Sequence, residues 1–192
     1  MIGIFWRRLR THDENLRSSC NGLFLRTFSI AQEFPRVEVF GGYSYLHFKP
    51  EGATALNLNY GWNSAMQFNV NRLIGFTADV SGHYGTPVAG VNFNSYSFLF
   101  GPVASNRFKE ATVFVHALAG ANRISASTSG LSASDTAFAM AFGGGVDINV
   151  THHVSVRAIQ LDYLFTKHGT APMNVQNNVR ASAGVVFQFG GY

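Results

Sequence analysis

Residues 180–192 read RASAGVVFQFGGY. Taken alternately, Ala181, Ala183, Val185, Phe187 and Phe189 form one apolar row. The intervening row, Arg180, Ser182, Gly184, Val186 and Gln188, is mostly polar or small. A period of two residues marks a β-strand with two unlike faces. A water-soluble barrel would turn the apolar row inward, whereas a barrel embedded in lipid would turn it outward. Which face is inside therefore decides both fold and location.

Composition bears on the choice. Charged residues make up 12% of the 192-residue chain, about half the usual share of roughly 25%. Aromatic residues reach 14%, with 18 Phe and 7 Tyr. No run of about 18 apolar residues occurs, so no transmembrane helix is expected. The net charge of +4 is unevenly placed. Residues 1–36 hold six arginines against three acids, and the remainder holds eight basic and seven acidic residues. The body of the protein thus lacks the basic patch of a nucleic-acid binder. The single cysteine, Cys20, cannot form an internal disulfide.

Residues 1–35 read as a targeting or disordered segment. The stretch GLFLRTFSIA, residues 22–31, is short and apolar apart from Arg26, and Ser29 and Ala31 supply small residues at positions −3 and −1 of a cleavage site. A signal peptide ending near Ala31 is the expectation.

From Arg36 to Tyr192 the chain alternates strand and turn signals, and eight strands are expected, at 36–48, 56–70, 73–84, 93–101, 109–122, 136–148, 154–167 and 178–190. Short connections, 71–72, 102–107 and 149–153, alternate with longer ones, 49–55, 85–92, 123–135 and 168–177, a pattern typical of outer-membrane barrels. In 56–70, Leu56, Leu58, Tyr60, Trp62, Met66, Phe68 and Val70 alternate with asparagines, glycine, alanine and glutamine. In 136–148, Phe138, Met140 and Phe142 oppose Ala137, Ala139, Ala141, Gly143 and Gly145. An eight-stranded barrel has little interior room. The small and polar row fits that interior, and the bulky row fits lipid. The fold class expected is all-β: an eight-stranded antiparallel up-and-down transmembrane β-barrel in a bacterial outer membrane. Tyr60, Trp62, Phe68, Phe76, Phe142, Phe187 and Phe189 are expected to face lipid or form its aromatic girdle.

The stretches VEVFGGYSYLHF (residues 37–48), LNYGWNSAMQFNVNRLIGFTADVSGHYG (residues 58–85) and GGGVDINV with VSVRAIQLDYLFT (residues 143–150 and 154–166) resemble the small outer-membrane β-barrel family of the outer-membrane protein A and X type. The strand ending at Phe189 is similar to the C-terminal insertion signal of such proteins, although Gly190, Gly191 and Tyr192 follow it. The resemblance covers roughly residues 36–192 and implies fold and location more than activity. Outer-membrane lipid, lipopolysaccharide and the outer-membrane insertion machinery are the partners expected, for a monomer.

The inward row gathers Glu38, Asp79, His83, His116, Asp147, Arg157, Asp162 and Arg180, and charges in a narrow lumen must pair. Arg157 shares a phase with the apolar Ile159 and Leu161, so a bulge near Ala158 is expected to turn Arg157, Gln160 and Asp162 inward together. The network either fixes the barrel structurally or forms a candidate gate of a narrow pore. No catalytic residue, metal or cofactor is expected. Ser81 and His83 stand two residues apart on one strand, roughly 6–7 Å, too far for a nucleophile–base bond. His152 and His153 point opposite ways in a turn. Two alternatives are a soluble lipocalin-like barrel holding an apolar ligand inside and a lipid-modifying barrel enzyme.

Overall fold

The computed structural model describes residues 34–48, 56–88, 91–128, 131–167 and 175–191. The expected signal segment and the connections 49–55 and 168–174 lie outside these residues. The strands are β1 (Val37–Phe48), β2 (Leu56–Leu58), β3 (Tyr60–Asn69), β4 (Ile74–Val88), β5 (Val91–Arg107), β6 (Ala111–Thr128), β7 (Leu131–Asn149), β8 (Val154–Lys167) and β9 (Val175–Phe189). β2 and β3 are one stave interrupted at Asn59. The wall thus has eight staves, each antiparallel to its neighbours, and β9 pairs back onto β1 from Val37↔Phe189 to His47↔Val179. Closure leaves no sheet edge over those eleven pairs.

Local chemistry sets the short turns. Asn71 Oδ1 accepts the backbone N–H groups of Leu73 and Ile74, each at 2.8 Å, and Thr151 Oγ1 accepts those of His153 and Val154. Both are side-chain mimics of a backbone turn. The third short turn lies at 108–110, not at the expected 102–107. Pro102 reads as a turn residue, yet it continues β5 opposite Phe76 of β4. Its missing N–H interrupts only the ladder to β6, which has no pair between Phe100↔Ala119 and Val103↔His116. The stretches 85–92 and 123–135, expected as loops, are largely strand. β4 and β5 stay paired as far as Val88↔Val91, and β6 and β7 as far as Thr128↔Leu131.

The apolar row faces outward. Phe68, Phe76, Phe142, Phe187 and Phe189 are each about half exposed, as are Phe98, Phe100 and Tyr163, while Arg180, Ser182, Val186 and Gln188 are buried inside. Tyr43, Tyr60 and Trp62 stand exposed toward the end with the taller hairpins, and the Trp62 indole N–H donates to the Tyr84 hydroxyl at 3.2 Å. The expected segregation of all bulky apolar side chains to the outside needs correction. Phe40, Leu46, Leu58, Leu99, Phe114, Leu118 and Leu164 are buried in the lumen. Leu58 was expected on the lipid face with Tyr60 and Trp62. The pairing changes register between Leu46↔Leu58 and Tyr43↔Trp62, which gives the β2–β3 stave one extra residue. That extra residue inverts the phase.

On β5, Phe100 lies four residues below Tyr96, near the middle of the apolar band, and Ile74 lies beside a short turn. Phe100→Arg is expected to cost about 2–4 kcal/mol of folding free energy and Ile74→Arg at most about 1 kcal/mol. Reversible urea unfolding in lipid vesicles measures both.

Candidate functional site in the barrel lumen

The lumen carries a layered polar network of hydrogen-bonded clusters, built from inward positions of all eight staves. Nearest the short turns, Arg107 Nη2 donates to Glu38 Oε1 at 2.6 Å, and Asn69 Nδ2 donates to the same oxygen at 2.8 Å. Deeper in, Arg157 forms a two-pronged pair with Asp147, Nε to Oδ1 at 2.7 Å and Nη2 to Oδ2 at 3.0 Å. This planar fork-to-fork contact is the strong form of the interaction. Its guanidinium also lies between two rings, 4.3 Å from the Phe40 centroid and 4.2 Å from that of Phe114. The two π-faces offset part of the lost hydration. Arg157 Nη1 passes the network on to Gln160 Oε1, and Gln160 Nε2 to Asp162 Oδ2.

Arg180 is the hub. It is 0% exposed, and it donates to Asp162 Oδ2 (2.8 Å), Asp79 Oδ1 (2.7 Å) and the Ser81 hydroxyl (2.9 Å). Asp79 Oδ2 accepts Asn63 Nδ2, and Asp162 Oδ1 lies 2.8 Å from His116 Nε2. His83 Nε2 sits 2.8 Å from the Ser44 hydroxyl, which also accepts from Ser182. Glu38, Asp79, His83, His116, Asp147, Arg157, Asp162 and Arg180 are all buried, and the four acids and two arginines among them enter ion pairs.

Two local features make the network possible. Ala158 is skipped in the pairing, between Val146↔Ile159 and Asp147↔Arg157 on one side and Arg157↔Gly184 and Gln160↔Ser182 on the other. The bulge keeps Arg157, Gln160 and Asp162 on the same face despite their odd spacing. Gly143 and Gly145 make room: a Cβ at Gly143 would overlap the Asp162 carboxylate and the Leu161 carbonyl, and one at Gly145 would press on the Phe114 ring. Ser81 bonds Arg180 and His83 faces Ser44, so Ser81 and His83 do not form a nucleophile–base pair. Among the described residues no group of three metal-ligating side chains assembles.

An apolar layer covers the network. Leu46 lies one inward position beyond Ser44, Leu118 one beyond His116 and Leu164 one beyond Asp162, all toward the taller hairpins. They pack with Leu58, Leu99, Ala139 and Ala141 in one buried cluster. The cavity left within the network is about 10 Å³, room for a single water at most.

The apolar outer band, closed wall and polar lumen are the outer-membrane arrangement, and the comparisons agree. A model of the outer membrane protein beta-barrel domain family matches residues 23–189. The chain belongs to that family. Among solved structures it is similar to Neisserial surface protein A (NspA), at a TM-score of 0.69 and 17% identity over 80% of this chain and 97% of that one. It is also similar to Ail, the attachment invasion locus protein of Yersinia pestis (TM-score 0.58, 17% identity, 81% and 99% coverage). The N-terminal β-barrel domain of Pseudomonas aeruginosa OprF gives 0.56 at 9% identity, over 81% and 99%. A comparison with curated proteins finds no match. The family and these neighbours place the chain in the bacterial outer membrane, and the soluble lipocalin-like alternative fails with the outward apolar row.

Several lumen partners escaped sequence reading. Arg107 lay in a stretch taken for a turn, although it keeps the inward phase of Leu99, Val103 and Ser105 on β5. Phe40 and Phe114 share the phases of Glu38 and His116, but their bulk argued for lipid.

Removing Arg180 strands Asp79 and Asp162 without their cation. Arg180→Leu is expected to cost roughly 3–5 kcal/mol, and the triple variant Arg180→Leu, Asp79→Leu, Asp162→Leu to recover much of it. The loss of the heat-resistant folded band in gel electrophoresis reads both.

Proposed function

We propose that this outer-membrane barrel is sealed and serves as a rigid scaffold, acting through its wall and its extracellular hairpins rather than by conduction or catalysis. The filled lumen carries this reading. A conducting barrel needs a continuous wet path, whereas here a paired charge network around a cavity of about 10 Å³ lies beneath a layer of leucines and alanines. Opening it would mean parting several short ion pairs in a poorly hydrated space, each expensive to break. The network's role in this reading is to fix strand register and fill the interior. The same sealing separates Asp79, Ser81 and His83 from any lipid substrate. The working partners are outer-membrane lipid with its lipopolysaccharide and, during assembly, the outer-membrane insertion machinery, with the barrel as a monomer. Among the structural neighbours, Ail has been solved in complex with the heparin analogue sucrose octasulfate, which is in keeping with an outward-facing role for barrels of this shape.

Planar-bilayer recording tests the seal. The folded wild-type protein is expected to give no conductance steps. Arg157→Ala removes the bidentate partner of Asp147 and the filling between Phe40 and Phe114, and it is expected to lower thermal stability and admit small steps. Ohmic steps from the wild type would overturn the sealed reading in favour of a gated pore.

A further inference from the structure

The registers of β3 to β6 lay out the outer wall row by row. Trp62, Gly82, Tyr96 and Arg123 form one row of paired residues, and Tyr60, Tyr84, Asn94 and Ser125 form the next row up. Asn92 pairs with Ser127 above that. The first row belongs to the aromatic girdle: the Trp62 ring lies over Gly82, where a Cβ would strike it, and Tyr84 packs edge-on against Tyr96 at 5.8 Å. Immediately above the girdle the wall is concave. A cleft of about 680 Å³ opens there, within the size range of small-ligand sites.

The cleft's chemistry is narrow. It is lined by four amides, Asn57, Asn59, Asn92 and Asn94, and by the rings of Tyr60 and Tyr84, and among the described residues none that lines it is charged. Carboxamides offer donors and acceptors together, which matches a ligand whose hydroxyls do the same. Phenol rings add flat apolar faces with a polar tip. An apolar ligand would leave the amides unpaired at a cost, and an anion would find no cation to pair with among the described lining residues. Asn57 is already positioned, its Oδ1 accepting from the Tyr45 hydroxyl at 3.0 Å and lying 2.7 Å from His47 Nδ1, which leaves its amide hydrogens for a ligand. Arg123 stands exposed in the same row, three strands from Trp62.

We propose that this cleft binds the saccharide of an outer-leaflet glycolipid, lipopolysaccharide, with its acyl chains below the girdle and its sugar hydroxyls on the asparagine amides. The proposal deepens the reading of a barrel that acts through its wall, and it rests on that reading for the partner's class. The test is native mass spectrometry of the full chain, released from bilayers containing rough lipopolysaccharide and phosphatidylglycerol. The wild type is expected to retain one lipopolysaccharide in preference to phosphatidylglycerol. The double variant Asn92→Ala, Asn94→Ala is expected to retain it roughly tenfold less, as two lost hydrogen bonds imply, and Tyr60→Ala is expected to weaken it as well. Ser132→Ala, outside the cleft, is expected to match the wild type, and a heat-resistant folded band checks that each variant is intact. Equal retention by wild type and double variant, or no preference over phosphatidylglycerol, overturns the proposal. So does displacement by an equimolar amount of the free core oligosaccharide, since membrane anchoring would then contribute nothing. Conductance is independent of these outcomes, so an open pore would sink the sealed reading and leave this one standing.

Discussion

Hydrocarbon offers a peptide group no hydrogen-bond partner, so a strand that enters it must be paired along both sides. In this chain the requirement is met by returning β9 to β1 over eleven residue pairs, and the rest of the structure follows from that closure. Eight staves enclose a space too narrow for an open aqueous column. Whatever points inward must therefore pack and must satisfy its own polarity. Gly143 and Gly145 on one stave and the alanines above them yield volume, which Arg157, Phe114 and Asp162 on neighbouring staves fill.

The charged interior shows how far such pairing can go. Glu38, Asp79, Asp147 and Asp162 face Arg107, Arg157 and Arg180, with His116 at hydrogen-bonding distance from Asp162. Replacing buried ion pairs by apolar residues often costs nothing, while breaking one costs much. In the proposed sealed scaffold the network serves as a specificity device more than as a source of net stability. Two of the arginines join staves far apart in sequence: Arg180 to Asp79 spans 101 residues and Arg107 to Glu38 spans 69. A slip of one residue between any two staves would put a charge into lipid.

Much of this was legible in the chain itself, because the two faces of a lipid-embedded strand meet opposite media. Phe68, Phe76, Phe142 and Phe187 contrast with Gln67, Thr77, Gly143 and Gln188, and the phase of every spanning strand could be read from such pairs. The odd spacing of Arg157 and Asp162 even exposed the bulge at Ala158. Reading failed where the contrast fades. Above the membrane both faces are polar, so the serine-rich stretch 123–135 looked like loop although it continues the β6–β7 ladder. Leu58 carries no sign of the extra residue that turns it inward, since the register shift depends on its partner strand. The leucine layer over the polar network is likewise a property of eight staves together, with one residue from each of several.

The central claim is that the odd-numbered residues of β9 from Ala181 to Phe189 face lipid and the even-numbered ones face a closed lumen. Nitroxide labels placed singly at positions 181–189, in a Cys20→Ser background reconstituted in lipid vesicles, test it residue by residue. Oxygen, which concentrates in hydrocarbon, is expected to relax the labels strongly at 181, 183, 185, 187 and 189 and weakly at 182, 184, 186 and 188, with water-soluble nickel complexes reaching neither set at mid-depth. Strong oxygen access at the even positions, or nickel access along them, would contradict the account.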